Sequence, residues 1–141
     1  MRVEGLASAG IGAGYGALWV PEPKEDLVVR LDIETGRVIA RVPVSGSPRR
    51  VAVGEGGVWV ITTGVHSGVW RIDPRNDETV AVIPVPPKAR RVATGAGFVW
   101  VTSGRNEAEK ARRRGLLSKI DPHERDCVHH RPRFSPGWRR C

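Results

Sequence analysis

The sequence predicts an all-β protein made of three similar units, and two repeated patterns and the composition indicate this. A segment of the type Val-Ala-Val-Gly-Glu-Gly-Gly-Val-Trp-Val occurs at 11–20, 51–60 and 92–101, and its tryptophans are 40 and 41 residues apart. A second landmark follows each segment, and it reads Arg-Leu-Asp32, Arg-Ile-Asp73 and Lys-Ile-Asp121. The 17 glycines and 11 prolines among 141 residues favour turns and short strands over long helices.

Each unit reads as four short strands. In the second unit these lie at about 49–54, 57–62, 68–73 and 79–85, and they are rich in Val, Ile and Trp. Glycines at 54–57 and 95–97 suit tight hairpins because glycine tolerates a positive φ. The recurring aspartates are interpreted as turn caps rather than as cation ligands, because Asp accepts hydrogen bonds from turn amides.

A period of about 40 residues with four strands per unit is typical of a β-propeller blade. A blade must stack on its neighbours, and four to eight blades usually close a ring. At about 41 residues each, this chain holds about three and a half. We therefore expect a partial, open β-propeller of about three four-stranded antiparallel blades, at about 7–48, 49–88 and 89–122. Self-association or further blades would be needed to close the ring.

The units resemble the YVTN-type β-propeller repeats, which are close to the NHL and streptogramin-lyase-like propellers. The resemblance rests on 51–60, on Gly-Val-Trp-Arg-Ile-Asp-Pro at 68–74 and on Val-Ala-Val-Ile-Pro-Val at 80–85, and it covers about 7–122. It implies a non-catalytic module that binds a ligand or a protein, often outside the cytoplasm or attached to a sensor. The alternative is a fragment of a propeller enzyme of the streptogramin-lyase or lactonase kind whose catalytic blades are missing here.

The basic charge is concentrated near the C-terminus. The formal net charge is +8, but residues 1–104 hold 12 Lys+Arg against 10 Asp+Glu, whereas residues 105–141 hold 11 against 5. This distribution argues against nucleic acid as a partner of the repeat body. No apolar run reaches the ~20 residues of a membrane helix, and the first residues do not form a secretory signal. The compartment is not predicted.

Two arginine pairs define the predicted binding face. In four-stranded blades the loop that enters strand one lies at the same end as the loop between strands two and three, so this end collects basic side chains for an anionic ligand or an acidic partner. The predicted residues of this face are Arg49, Arg50, His66, Lys88, Arg90, Arg91 and Arg105. The alternative is that these arginines are only solvated or salt-bridged.

No catalytic set, metal site or cofactor is predicted. His66 is a candidate general base only through the resemblance to streptogramin lyases, and no carboxylate partner for it is found in the sequence. The tryptophans Trp19, Trp59 and Trp100 are interpreted as packing between blades rather than as a stacking platform for a ligand.

The last quarter of the chain departs from the repeat. The third unit carries an insertion at 105–115, predicted as a short basic helix or a solvated loop, and 123–141 is predicted as a basic tail. Nucleic-acid contact through this tail is a second alternative function, and a zinc site that uses Cys127 is a weaker one. A further hypothesis is that the tail is an out-of-frame read of a GC-rich gene.

Overall fold

The structure is a computed structural model that describes residues 2, 4–6, 10–64, 68–104 and 115–123 in full. It also gives the backbone, but not the side chains, of residues 127–130 and 139–140. Within this described part the protein is all-β and contains no helix, so no helix there could cross a membrane.

The strands form three separate antiparallel sheets, each in chain order. The first blade contains β1 (Gly12–Gly14), β2 (Ala17–Glu22), β3 (Leu27–Asp32) and β4 (Val38–Pro43). The second contains β5 (Pro48–Gly54), β6 (Gly57–Thr62), β7 (Gly68–Asp73) and β8 (Glu78–Pro84). The third contains β9 (Ala89–Gly95), β10 (Phe98–Ser103), β11 (Leu116–Ile120), β12 (Cys127–His130) and β13 (Arg139–Arg140). The predicted open arrangement of three blades is confirmed, and the four strands predicted for the second unit agree within one residue at each bound.

The first hairpin of each blade closes through two residues with positive φ. In the second blade these are Glu55, with φ of 50°, and Gly56, with φ of 75°. Two successive positive φ values match the twist of the flanking strands in a two-residue turn. The glycine at the second position is therefore required by the turn, as the sequence predicted.

Two of the three hydrophobic clusters lie between neighbouring blades, and the third lies on the first blade. Trp19 of the first blade is fully buried with Val51, Val58 and Val60 of the second. Trp59 is fully buried in the next cluster, which includes the third blade's Val99, Val101 and Ile120. The interpretation of Trp19 and Trp59 as packing between blades is confirmed.

Strand order creates two chemically different ends. The innermost strands β1, β5 and β9 pack side by side, and β5 and β9 begin at the same end of the molecule. We call this the entry end, because the chain enters each blade there. The opposite end carries the short turns between strands one and two and between strands three and four, and we call it the turn end.

Aspartates cap the turns at the turn end. Asp32 Oδ1 accepts hydrogen bonds from the backbone N–H groups of Glu34 and Thr35 at 2.9 and 2.8 Å. Asp73 and Asp121 do the same for the N–H two residues on, at 2.9 and 2.8 Å. The predicted role of these aspartates as turn caps is confirmed.

The backbone of β12 pairs with β11 as the fourth strand of the third sheet, and β13 pairs with β12. Both strands lie within the segment predicted as a basic tail. The blade boundary predicted at residue 122 stays a prediction.

Candidate anion-binding surface at the entry end

The arginine pairs occupy equivalent places on neighbouring innermost strands. Arg49 and Arg50 are the second and third residues of β5, and Arg90 and Arg91 are the second and third residues of β9. Because β5 and β9 pack side by side, the four side chains start from one region of the entry end. We call these four residues together with Lys88 the entry surface.

The arginines of the entry surface are accessible. Arg49, Arg90 and Arg91 are exposed, and Arg50 is half-buried. Among the described residues, the ion pairs join Arg2 to Glu4, Arg30 to Asp77 and Arg75 to Asp73, so no described carboxylate lies within 4 Å of these four guanidinium groups. The alternative of salt-bridged arginines therefore finds no support in this part of the chain.

Two glycines make room for the arginine stems. The N–H of Gly10 donates to the carbonyl oxygen of Arg49 at 3.0 Å, and a Cβ on Gly10 would lie 3.1 Å from Arg50 Cδ. In the third blade, a Cβ on Gly104 would lie 2.8 Å from Arg90 Nε. The side chains of Arg50 and Arg90 therefore lie directly across a glycine backbone, which limits where their guanidinium groups can go.

The loops beneath the entry surface are tied together by backbone hydrogen bonds. Gly64 donates to the Gly46 carbonyl at 2.8 Å, and Gly104 donates to the Lys88 carbonyl at 2.6 Å. Lys88 adopts a left-handed conformation with φ of 62°, as does Ser47 at the equivalent place before β5, with φ of 59°. The same backbone conformation thus precedes both arginine pairs, so the two pairs begin from equivalent positions at the starts of β5 and β9.

Charge is polarised between the two ends. The turns and adjoining strand ends of the turn end carry seven carboxylates, which are Asp32, Glu34, Glu55, Asp73, Asp77, Glu78 and Asp121. The basic residues of the same turns and strand ends are fewer, and they are Arg30, Arg37, Arg71, Arg75 and Lys119. At the entry end, the described carboxylates belong to the first blade's β2–β3 connection, at 22, 25 and 26. The entry surface is consequently the basic part of the described protein.

Hydrogen bonds lower the pKa values of two turn-end aspartates, Asp32 and Asp73. The side chain of Arg75 bonds to Asp73 at 3.1 and 2.8 Å, and with the Arg75 N–H it lowers the pKa of Asp73 to about 2. The N–H groups of Thr35 and Glu34 likewise lower the pKa of Asp32. These carboxylates are engaged in turns, and among the described residues no cluster of three or more His, Cys, Asp or Glu could hold a metal ion.

Sequence reasoning missed a cation that bridges neighbouring blades. Arg30 Nη1 donates to the Pro74 carbonyl at 3.1 Å and to Asp77 at 2.7 Å, and its guanidinium lies 5.0 Å from the centre of the Trp19 ring. Arg71 repeats the carbonyl and ring contacts one blade on, with the Pro122 carbonyl and the Trp59 ring, but it forms no ion pair with a described carboxylate. We call such a residue a blade clamp. The signal was present in the sequence, because a basic residue stands two places before each recurring aspartate.

Two predicted site residues, His66 and Arg105, lie outside the described residues, as do residues 106–114 of the insertion and the side chains of the tail beyond His123. The structure therefore brings together Arg49, Arg50, Lys88, Arg90 and Arg91. Membership of a binding face stays a prediction for all seven residues.

Comparison with known proteins extends the fold assignment. No protein-family description and no curated protein matches the chain. Hydrazine synthase from Kuenenia stuttgartiensis is similar over 79% of this chain and 33% of its own, with 17% identity and a TM-score of 0.69. A PQQ-bound aldose sugar dehydrogenase from Streptomyces coelicolor is similar over 84% and 46%, with 19% identity and a TM-score of 0.62. A streptogramin B lyase is similar over 88% and 51%, with 12% identity and a TM-score of 0.58.

These structures share the fold with this chain at identities below 20%. The chain spans between about a third and a half of the length of each. Similarity at this level shows architecture and not activity. The four-stranded blades, the core between them and the similar solved structures all agree. The chain therefore folds as an open part of a β-propeller.

Proposed function

We propose that the chain is a non-catalytic propeller module of the YVTN type that binds clustered anionic groups at the entry surface. The observation that carries this proposal is the pair of Arg-Arg steps on adjacent innermost strands, with no described carboxylate in salt-bridge range. Structural ion pairs occupy other arginines of this protein, such as Arg30 and Arg75. No described carboxylate forms such a pair with the arginines of the entry surface.

The chemistry of arginine favours carboxylates or phosphates as ligands. A guanidinium presents a planar fork of N–H donors that matches such groups bidentately, and it stays charged at any physiological pH. Four such groups on two adjacent strands suit several anionic groups at close spacing. An acidic stretch of a protein and a compact polyanion share this chemistry.

The proposal is tested with a fluorescently labelled decapeptide of alternating Asp and Glu, and with citrate as a competing small polyanion. Anisotropy should report binding that weakens on raising the salt concentration, because exposed charges are screened. If citrate displaces the peptide at concentrations well below the salt concentrations that weaken binding, the result would favour a small polyanion as the ligand. Binding of the peptide alone would favour an acidic protein segment.

A matched pair of double variants separates the site from general charge. Arg49→Ala with Arg90→Ala removes two exposed arginines of the entry surface, and we expect the peptide's Kd to rise at least about tenfold, equal to ~1.4 kcal/mol. Arg37→Ala with Arg41→Ala removes two exposed arginines elsewhere and should change Kd less than about twofold. Equal losses in the two double variants would refute the entry surface as the site.

The other functions predicted from the sequence remain proposals without support of their own. The streptogramin-lyase or lactonase alternative rests on His66, and nucleic-acid contact rests on the tail at 123–141. A single-stranded oligonucleotide added to the same assay addresses the second. Tight oligonucleotide binding by the Arg49→Ala, Arg90→Ala variant would favour the tail.

A further inference from the structure

The two blade–blade interfaces of the described protein are built alike. In each, the strand-two tryptophan of the earlier blade is fully buried, and the innermost strand of the next blade packs against it. In each, a blade clamp crosses to a backbone carbonyl of the next blade, Arg30 to Pro74 and Arg71 to Pro122. These shared features define what a blade presents to the blade that follows it.

The third blade carries the same features, but its side chains are more exposed to solvent. Trp100 and Phe98 are half-buried, whereas Trp19 and Trp59 are fully buried. Lys119 stands in the clamp position, with Nζ 3.7 Å from the centre of the Phe98 ring, and no described carbonyl of another blade accepts from it. A Cβ on Gly95 would meet nothing within 4 Å. At the equivalent Gly54 a Cβ would lie 2.7 Å from Thr94 Oγ1 of the next blade.

The first blade carries the other surface of such a blade–blade interface. Ile11 is 60% exposed, whereas its repeat equivalent Val51 is 9% exposed beneath the preceding blade. Leu6 packs on Val20, Val29 and Leu31. The two ends of one chain are therefore the two halves of one interface.

We propose that the free face of the third blade docks the first blade of a second copy of this chain, and that two chains close a six-bladed ring. Six blades fall within the range of four to eight in which propellers close. In a two-fold ring each chain uses both of these edges, so assembly stops at two chains.

Sedimentation velocity or light scattering over a concentration series tests the proposal on the full chain. The expected species is a dimer of twice 15.4 kDa, in equilibrium with monomer on dilution. A monomer persisting up to about 0.5 mM, a concentration that would populate even a weak dimer, would overturn the proposal and leave further blades of a longer chain as the occupant. Species that grow beyond two with concentration would overturn ring closure.

Exposed residues allow variants that leave the monomer fold intact. Ile11→Lys places a charge in the interface, and we expect the dimer Kd to rise at least about tenfold. Val82→Lys is the matched control, because Val82 is 52% exposed on the outer strand of the second blade. An equal effect of the two substitutions would refute the edge-to-edge arrangement.

Mixing two variants tests which surfaces meet. Thr102→Lys alters the third blade's free face, at an exposed position equivalent to the buried Ile61. A mixture of Ile11→Lys and Thr102→Lys chains retains one intact interface, so it should dimerise more tightly than either variant alone. No gain on mixing would contradict docking of a third blade on a first blade.

Discussion

The blade clamp at Arg71 gives the sharpest stability prediction. Its Nη1 donates to the Pro122 carbonyl of the third blade at 2.9 Å, and its Nη2 donates to the Gly56 carbonyl at 3.3 Å. Its guanidinium lies 5.3 Å from the centre of the fully buried Trp59 ring. Arg71→Met keeps a long apolar stem over Trp59 but removes all three polar interactions.

The expected loss is a balance of three effects, and the exposed hydrogen bond to Gly56 is left out of the sum because water replaces it. The hydrogen bond to Pro122 comes from a charged donor, and its loss costs ~1.5–3 kcal/mol. Loss of the cation–π contact with Trp59 costs ~1 kcal/mol in a half-buried setting. Arg71 Nε is buried without a hydrogen-bond partner, so its removal raises the free energy of unfolding by ~1–2 kcal/mol. We therefore expect Arg71→Met to lower the free energy of unfolding by about 2 kcal/mol.

Urea denaturation followed by far-UV circular dichroism measures this loss. With an m value of ~1–3 kcal/mol/M, a loss of about 2 kcal/mol lowers the midpoint by roughly 1 M. Arg41→Met is the control, since Arg41 is exposed on β4 and surface substitutions usually change stability by less than ~0.5 kcal/mol. Equal midpoints for Arg71→Met and Arg41→Met would refute the clamp.

Three further predictions follow from other contacts. Urea denaturation should show that Gly54→Ala destabilises the protein by at least ~1 kcal/mol more than Gly95→Ala does. Both glycines have a positive φ, but only at Gly54 would the new Cβ meet another side chain, that of Thr94 at 2.7 Å. Arg75→Ala should move the pKa of Asp73 from about 2 toward 3.8, measured by NMR titration, because Arg75 supplies the largest lowering effect. The pKa of Asp73 is lowered in the folded state, so ionised Asp73 stabilises the fold above about pH 4, and this stabilisation is lost as pH falls through about 2. Arg75→Ala should therefore make the denaturation midpoint less sensitive to pH between these values.

The repeat made most of the fold predictable from the sequence. Tryptophans 40 and 41 residues apart located each second strand, and turn glycines such as Gly56 located the hairpins. Both signals are local, since the side chains that form a strand or a turn are adjacent in the chain. The bounds of β6 and β7 were therefore predicted without error.

Contacts between blades were less predictable because they join distant residues. Arg71 and Pro122 are 51 residues apart, and nothing local to either shows that they meet. Because side chains alternate along a strand, one arginine of each pair should face the neighbouring blade. Arg50 agrees, since it lies across Gly10, but Arg90 and Arg91 are both exposed. Pairing of β12 depends on backbone groups rather than on side-chain pattern, so the sequence of 127–130 gave no signal for it.

The most direct test of the entry surface is an NMR titration of the uniformly ¹⁵N-labelled chain with the acidic decapeptide. Binding as proposed predicts saturable amide shift changes at 49–50 and 88–91, with little change in the turns at 33–36 and 74–77 at the opposite end. Shift changes centred on the turn end, or none at peptide concentrations that saturate the anisotropy signal, would contradict the assignment of the entry surface as the anion-binding site.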